Sequence, residues 1–160
     1  VKESGRLFLI DGSSFFYRAF YAIRSLNTSK GQPTNAIYGV IMMLKKLIEE
    51  EKPEYLAVAF DTQKPTFRHQ RYEAYKEHRR PMPEALVSQL PWIRQVLEGF
   101  RIPIFEREGY EADDILGTLA LRAAKEGLSV YLVTGDKDAL QLVGPRVKVY
   151  RPTREGHEII

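Results

Sequence analysis

The chain has 160 residues, of which 44% are hydrophobic and 28% charged, an ordinary balance for one globular domain with a full core. It has no cysteine, which excludes disulfides and thiolate metal sites, and its three histidines, His69, His78 and His157, are too scattered to suggest zinc. The net charge of +3 is mild, no apolar stretch approaches membrane-spanning length, and the N-terminus lacks a signal-peptide core, so a cytoplasmic protein is expected.

Residues 6–10 are a short apolar run that reads as a buried strand ending at Asp11, with Gly12 allowing a tight turn. Ser13 or Ser14 is expected to cap a helix over 14–24, whose aromatics Phe15, Phe16, Tyr17, Phe20 and Tyr21 are read as mostly core. A polar loop over 27–33 follows. Ile37, Val40, Ile41, Leu44, Leu47 and Ile48 then stripe a helix over 34–51, stopped by Lys52 and Pro53. Residues 55–60 form a second buried strand, and it too ends in an acid, Asp61.

Residues 62–82 change character. Lys64, Arg68, Arg71, Lys76, Arg79 and Arg80 outweigh Glu73 and Glu77 for a net charge of +4, and Phe67, Tyr72 and Tyr75 are interleaved. With almost no aliphatic residue, the segment cannot build a core and reads as an exposed, mobile basic insertion. A helix over 84–100 carries Leu86, Leu90, Ile93, Val96 and Leu97, and a third strand over 101–105 is expected to be irregular or at an edge because of Pro103.

Glu111, Asp113 and Asp114 open the next helix, whose apolar side is Ile115, Leu116, Leu119, Ala120 and Ala123 and whose C′ position is Gly127. A fourth strand over 129–134 runs into Gly135, Asp136, Lys137 and Asp138. A short helical turn over 139–143 and a hairpin of strands at 146–150 and 158–160 follow. The alternation of strands and helices predicts an α/β fold: a mostly parallel central sheet with helices on both faces.

In such a sheet, sites form beyond the carboxyl ends of the strands. Glu111, Asp113 and Asp114 alone are ordinary first-turn acids. Their weight comes from recurrence, because Asp11, Asp61 and the pair Asp136 and Asp138 follow the other three parallel strands at the same end. Seven carboxylates in one crevice repel one another, and hard divalent cations relieve that repulsion. All-oxygen ligands suit Mg²⁺ or Mn²⁺, and seven are too many for one such ion, so two ions are expected. Paired ions support in-line displacement at phosphorus without a protein nucleophile, in keeping with the lack of a convincing Ser-His-Asp or Cys-His set. The basic insertion behind Asp61 would guide a polyanion to these acids, with aromatics stacking on unpaired bases. A solvated helix face is the plainer account of the same charges.

The stretches Leu9-Ile10-Asp11-Gly12-Ser13-Ser14 with Tyr17-Arg18-Ala19, Ala36-Ile37-Tyr38-Gly39, Phe60-Asp61, Thr66-Phe67-Arg68-His69, Tyr75-Lys76 with His78-Arg79, Gly109-Tyr110-Glu111-Ala112-Asp113-Asp114, and Thr134-Gly135-Asp136-Lys137-Asp138 with Leu140-Gln141-Leu142 run nearly the whole chain. In this order they closely resemble the 5′-nuclease (5′-3′ exonuclease) domain of bacterial DNA polymerase I, in the flap-endonuclease family of PIN-like, resolvase-like folds. The resemblance implies metal-dependent hydrolysis of DNA or RNA phosphodiesters at 5′ flaps and 5′ ends, RNA primers included, in replication and repair. It implies that Asp11, Asp61, Glu111, Asp113, Asp114, Asp136 and Asp138 ligate two ions. Lys76 and Arg79 would contact the reacting phosphate, and Tyr17, Arg68, Tyr75 and Arg18 the substrate. A core role for Tyr17 and a plain surface role for Lys76 stay open.

Asn35 departs from the resemblance, standing where glycine is expected. The family continues past position 160 into a helical region with a helix–three-turn–helix motif, so one catalytic domain over 1–160, monomeric and cut from a longer chain that includes a polymerase domain, is expected. A nucleic-acid-binding module without turnover is an alternative, though binding alone would not need seven acids. Receiver-like and phosphatase-like folds would use Asp11 with Lys137 but leave 111–114 and the basic insertion unexplained. A primase–topoisomerase-type fold would use a glutamate and a later Asp-x-Asp, leaving Asp11 and Asp61 idle.

Overall fold

The computed structural model describes residues 5–60, 82–106, 112–153 and 156–160, with only the backbone of 112 and 113. The expected mobile insertion therefore lies almost wholly outside the described residues. The elements in order are β1 (Arg6–Asp11), α1 (Gly12–Ala22), α2 (Asn35–Glu51), β2 (Tyr55–Ala59), α3 (Glu84–Val87), α4 (Leu90–Gly99), β3 (Ile104–Phe105), α5 (Ala112–Lys125), β4 (Ser129–Val133), the 3₁₀ helix η1 (Lys137–Leu142), β5 (Val147–Thr153) and β6 (Gly156–Ile159).

The strands form one sheet in the order β3-β2-β1-β4-β5-β6. Every pairing is parallel except the final β5–β6 hairpin. The chain winds outward from β1 to β3, then returns to the other side of β1 for β4. The strand order thus reverses between β1 and β4, and a crevice opens there beyond the strands' carboxyl ends.

Side chains alternate across this sheet because successive residues of a strand point to opposite faces. Phe8, Ile10, Val58, Val133 and Tyr150 face a core closed by α1, α2, α3 and α4. Leu9, Ala57, Ala59, Leu132 and Val149 face α5, which answers with Leu116, Ala120 and Ala123. The alanines on both sides of that second interface let the helix lie close to the strands. The predicted fold class, with both sheet faces covered, is the one observed. Among the five aromatics of α1, Phe15 and Phe16 are buried, Tyr17 and Phe20 pack partly on the core, and Tyr21 is exposed.

Three expectations need correction. Helix 84–100 is two helices, because Pro91 in the first turn of α4 has no N–H to give and its ring collides with the preceding turn. The third strand is only two residues long, since Arg101 takes the left-handed conformation at φ 60° and Pro103 precedes the first paired residue. It is an edge strand as expected, and β2 closes onto it through Val58 N–H to Pro103 O and Phe60 N–H to Phe105 O, both at 2.9 Å. The N-cap of α1 is Asp11 rather than a serine: Asp11 Oδ1 accepts from Ser14 N–H at 3.5 Å.

The expected stops are present. Lys52 ends α2 in the left-handed conformation, its N–H bonded to Ile48 O at 3.0 Å. Gly127, at φ 89°, ends α5, with Gly127 N–H on Ala124 O and Leu128 N–H on Ala123 O, the paired bonds of a Schellman turn.

Candidate active site

The register brings the strand ends together. Asp11 is level with Ala59 of β2, and Ile10 is level with Val133 of β4, so Thr134 follows beside Asp11. Gly12 begins α1 hard against β2: a Cβ there would stand 2.9 Å from Ala59 O, a contact only glycine avoids. This close approach turns the chain sharply after Asp11 and leaves its carboxylate at the sheet edge, only 5% exposed.

A buried charged group needs hydrogen bonds. Thr134, 2% exposed, donates its hydroxyl to Asp11 Oδ2 at 2.9 Å. The same hydroxyl accepts from Asp136 N–H at 3.0 Å, and Asp136 Oδ1 accepts from Asp138 N–H at 2.9 Å, capping η1. One residue on from Thr134, Gly135 N–H donates to Ser14 Oγ at 2.9 Å. The end of β1, the first turn of α1 and the loop after β4 are therefore tied into one frame across the switch point. Asp136 is half-buried and Asp138 exposed. Asp114 lies in the first turn of α5, which starts at the carboxyl edge of the sheet, and its side chain is also half-buried.

Of the seven expected ligands, Asp11 and Asp136 are brought together through Thr134, Asp138 is joined to Asp136, and Asp114 sits at the same edge. Asp61 and Glu111 lie outside the described residues, and only the backbone of Asp113 is described. Among the described residues, no three His, Cys, Asp or Glu side chains gather into a metal-holding group. The donor chemistry of this edge nonetheless suits a hard cation, being carboxylates and hydroxyls with no sulfur or imidazole among the residues just named.

Arg18 lies on the exposed side of α1 and lines a cleft of about 70 Å³ with Ser14, Thr134 and Gly135. It also walls a neighbouring cleft of about 240 Å³ together with Lys46. Tyr17 is half-buried against the core and stacks on Tyr21, ring centroids 6.4 Å apart; burial, then Tyr21, raises its phenol pKa. Arg68, Tyr75, Lys76 and Arg79 lie outside the described residues. The sequence reading missed the joining roles of Thr134 and Ser14. A hydroxyl at a buried strand end, flanked by acids on two strands, was the available signal.

No helix among the described residues is long and apolar enough to cross a membrane. Comparison with known proteins gives the family. The chain is 51% identical over 144 residues to DNA polymerase I of Bacillus caldotenax, a match covering 90% of this chain and 16% of that protein. It is 46% identical over 149 residues to the 5′-3′ exonuclease of Aquifex aeolicus, covering 93% of this chain and 52% of that one. The chain thus spans about half, or much less, of these relatives. Its fold matches the bacteriophage T5 D15 flap endonuclease, solved as a pseudo-enzyme-product complex with DNA and metal ions, with a TM-score of 0.62 at 21% identity over 91% of this chain and 54% of that chain. The family described as 5′-3′ exonuclease, N-terminal resolvase-like domain, matches residues 6–160, and the chain belongs to it.

Proposed function

We propose that this chain is the catalytic domain of a 5′-3′ exonuclease and 5′-flap endonuclease, hydrolysing nucleic-acid phosphodiester bonds with two Mg²⁺ or Mn²⁺ ions. The observation that carries the reading is the hydrogen-bonded link from buried Asp11 through Thr134 to Asp136 at the switch point of a parallel sheet. Membership of the exonuclease family supports it, as does the presence of DNA and metal ions in the T5 D15 flap endonuclease complex.

In this reading Asp11, Asp61, Glu111, Asp113, Asp114, Asp136 and Asp138 hold the ions. When bound, the ions supply a water of lowered pKa and charge stabilisation for the leaving oxygen. Lys76 and Arg79 bind the phosphate under attack. Arg18, at the rim beside Ser14 and Gly135, holds a neighbouring phosphate, and Tyr17, Arg68 and Tyr75 contact the strand. The substrate is DNA with 5′ flaps or 5′ ends, and RNA primers are cut by the same chemistry. The chain acts as a single monomeric nuclease domain over 1–160 of a longer, DNA polymerase I-like replication and repair protein of the cytoplasm.

The test is cleavage of a labelled 5′-flap DNA in Mg²⁺ or Mn²⁺ against EDTA, beside Asp136→Asn. Metal-dependent cleavage that the substitution abolishes is expected. Cleavage persisting in EDTA, or undiminished in the variant, overturns the two-metal reading. Silence in both metals together with no metal binding by calorimetry overturns it as well.

A further inference from the structure

We infer that Thr134 is a positioning residue that sets the affinity of this site for divalent cations, with Ser14 serving it from the helix side. The inference rests on the metal-dependent reading above.

A threonine hydroxyl has one proton to give and lone pairs to receive. At Thr134 both directions are fixed by chemistry. The Asp136 N–H can only donate, so it occupies a lone pair, and an ionised carboxylate can only accept, so the hydroxyl proton points to Asp11 Oδ2. A single buried oxygen therefore joins the end of β1 to the acidic turn after β4, just beyond the last paired residues of these two strands. Ser14 supplies a second tie, accepting from Gly135 N–H, while its own N–H faces the other oxygen of Asp11. The series Asp11, Thr134, Asp136, Asp138 is hydrogen-bonded from end to end.

The consequence is preorganisation. Carboxylates drawn together repel, and left unrestrained they would move apart until a cation gathered them. Here the Thr134 hydroxyl, on a residue nearly shielded from water, and the half-buried Ser14 hydroxyl hold Asp11 and Asp136 in relation beforehand, so a cation need not order them. Groups that orient metal ligands in this way are commonly worth about 10- to 100-fold in metal affinity or activity. A threonine that merely satisfied a buried strand end would affect stability and leave the folded protein's metal affinity alone.

The test is Mn²⁺ binding by titration calorimetry to the parent chain and to Thr134→Val, Thr134→Ser and Ser14→Ala. Each is measured at a temperature where circular dichroism shows it folded. Thr134→Val should weaken binding by about 10-fold or more, Thr134→Ser should restore it, and Ser14→Ala should weaken it by less. The metal-activation curve for flap cleavage should move to higher Mn²⁺ in the same order. Equal Mn²⁺ affinity in Thr134→Val and the parent overturns the inference and leaves the proposed function standing. A parent chain that binds no Mn²⁺ removes both. Should Thr134→Val not fold, unchanged affinity in Ser14→Ala overturns the inference.

Discussion

Gln89 Nε2 donates to Asn35 Oδ1 at 2.8 Å across 54 positions of sequence, and neither side chain is more than 5% exposed. The bond sits inside a satisfied polar cluster. Gln89 Oε1 accepts from Ala36 N–H at 2.8 Å and Ile37 N–H at 3.1 Å, the otherwise unpartnered donors at the start of α2, and Nε2 also donates to Ala85 O. Asn35 Nδ2 donates to Phe20 O and Ile23 O at the end of α1. Thr34, the N-cap residue of α2, makes no side-chain cap, so Gln89 performs that task from another element. Replacing Gln89 by Met keeps the volume but strands several buried groups. The expected cost is about 3 kcal/mol, a fall in Tm of roughly 6–12 °C, followed by circular dichroism. A fall under about 2 °C would mean that water takes over these bonds.

This cluster also marks where sequence reading ends. The apolar runs of β1, β2 and β4, the stripe of α2 and the stops at Lys52 and Gly127 are local signals, and each sits where periodicity and turn chemistry put it. Asp11, Asp114, Asp136 and Asp138 were legible for a similar reason: once a parallel sheet is inferred, an acid after a strand has its edge assigned. Gln89 is not legible, because its meaning lies in partners distant in sequence; Thr134 is legible in part, since Asp136 is two residues away but Asp11 lies 123 positions back. Asn35 read only as a departure from glycine, although its side chain closes the end of α1. The break between α3 and α4 could have been read from Pro91; the apolar pattern of 86, 90, 93 and 97 continues across it and hides it.

Lys52 tests the backbone rather than a contact. It holds φ 46° and ψ 56°, a conformation in which a Cβ crowds the following carbonyl. Lys52→Gly relieves that crowding at the cost of a more flexible unfolded chain. A net gain of about 0.5–1 kcal/mol is expected, or roughly 1–4 °C in Tm. A drop in the urea midpoint instead would show that the lysine side chain contributes more than its backbone costs.

Tyr150 gives the fold an alkaline limit. Its phenol is pushed up to about 12 from 10.0, first by burial and then by the negative charges of Glu51 and Glu50. The folded state therefore keeps a proton that the unfolded state releases. The stability this represents is fully present below about pH 10 and is lost as pH rises towards about 12. Urea midpoints measured over that window should fall more steeply for the parent chain than for Tyr150→Phe, which has no phenol to ionise. Parallel curves would show that other groups govern alkaline unfolding.

Asp11→Asn separates what the site needs from what the fold needs. Asparagine keeps the shape at this nearly buried position and retains one oxygen to accept from Thr134 or from Ser14 N–H. It gives up one acceptor and also removes a negative charge from an acid-lined crevice, two effects of opposite sign. In EDTA the variant should stay within about 1 kcal/mol of the parent. With Mg²⁺ the two should diverge: a ligand that binds only the folded parent adds about 2.7 kcal/mol at one hundred times its Kd, and Asp11→Asn should gain little of this. Flap cleavage should fall by about 100-fold or more, since a group that positions the reacting centre is lost. Calorimetric scans of both proteins with and without Mg²⁺ decide it. An equal Mg²⁺-dependent rise in Tm would mean that Asp11 serves the turn into α1 and holds no metal.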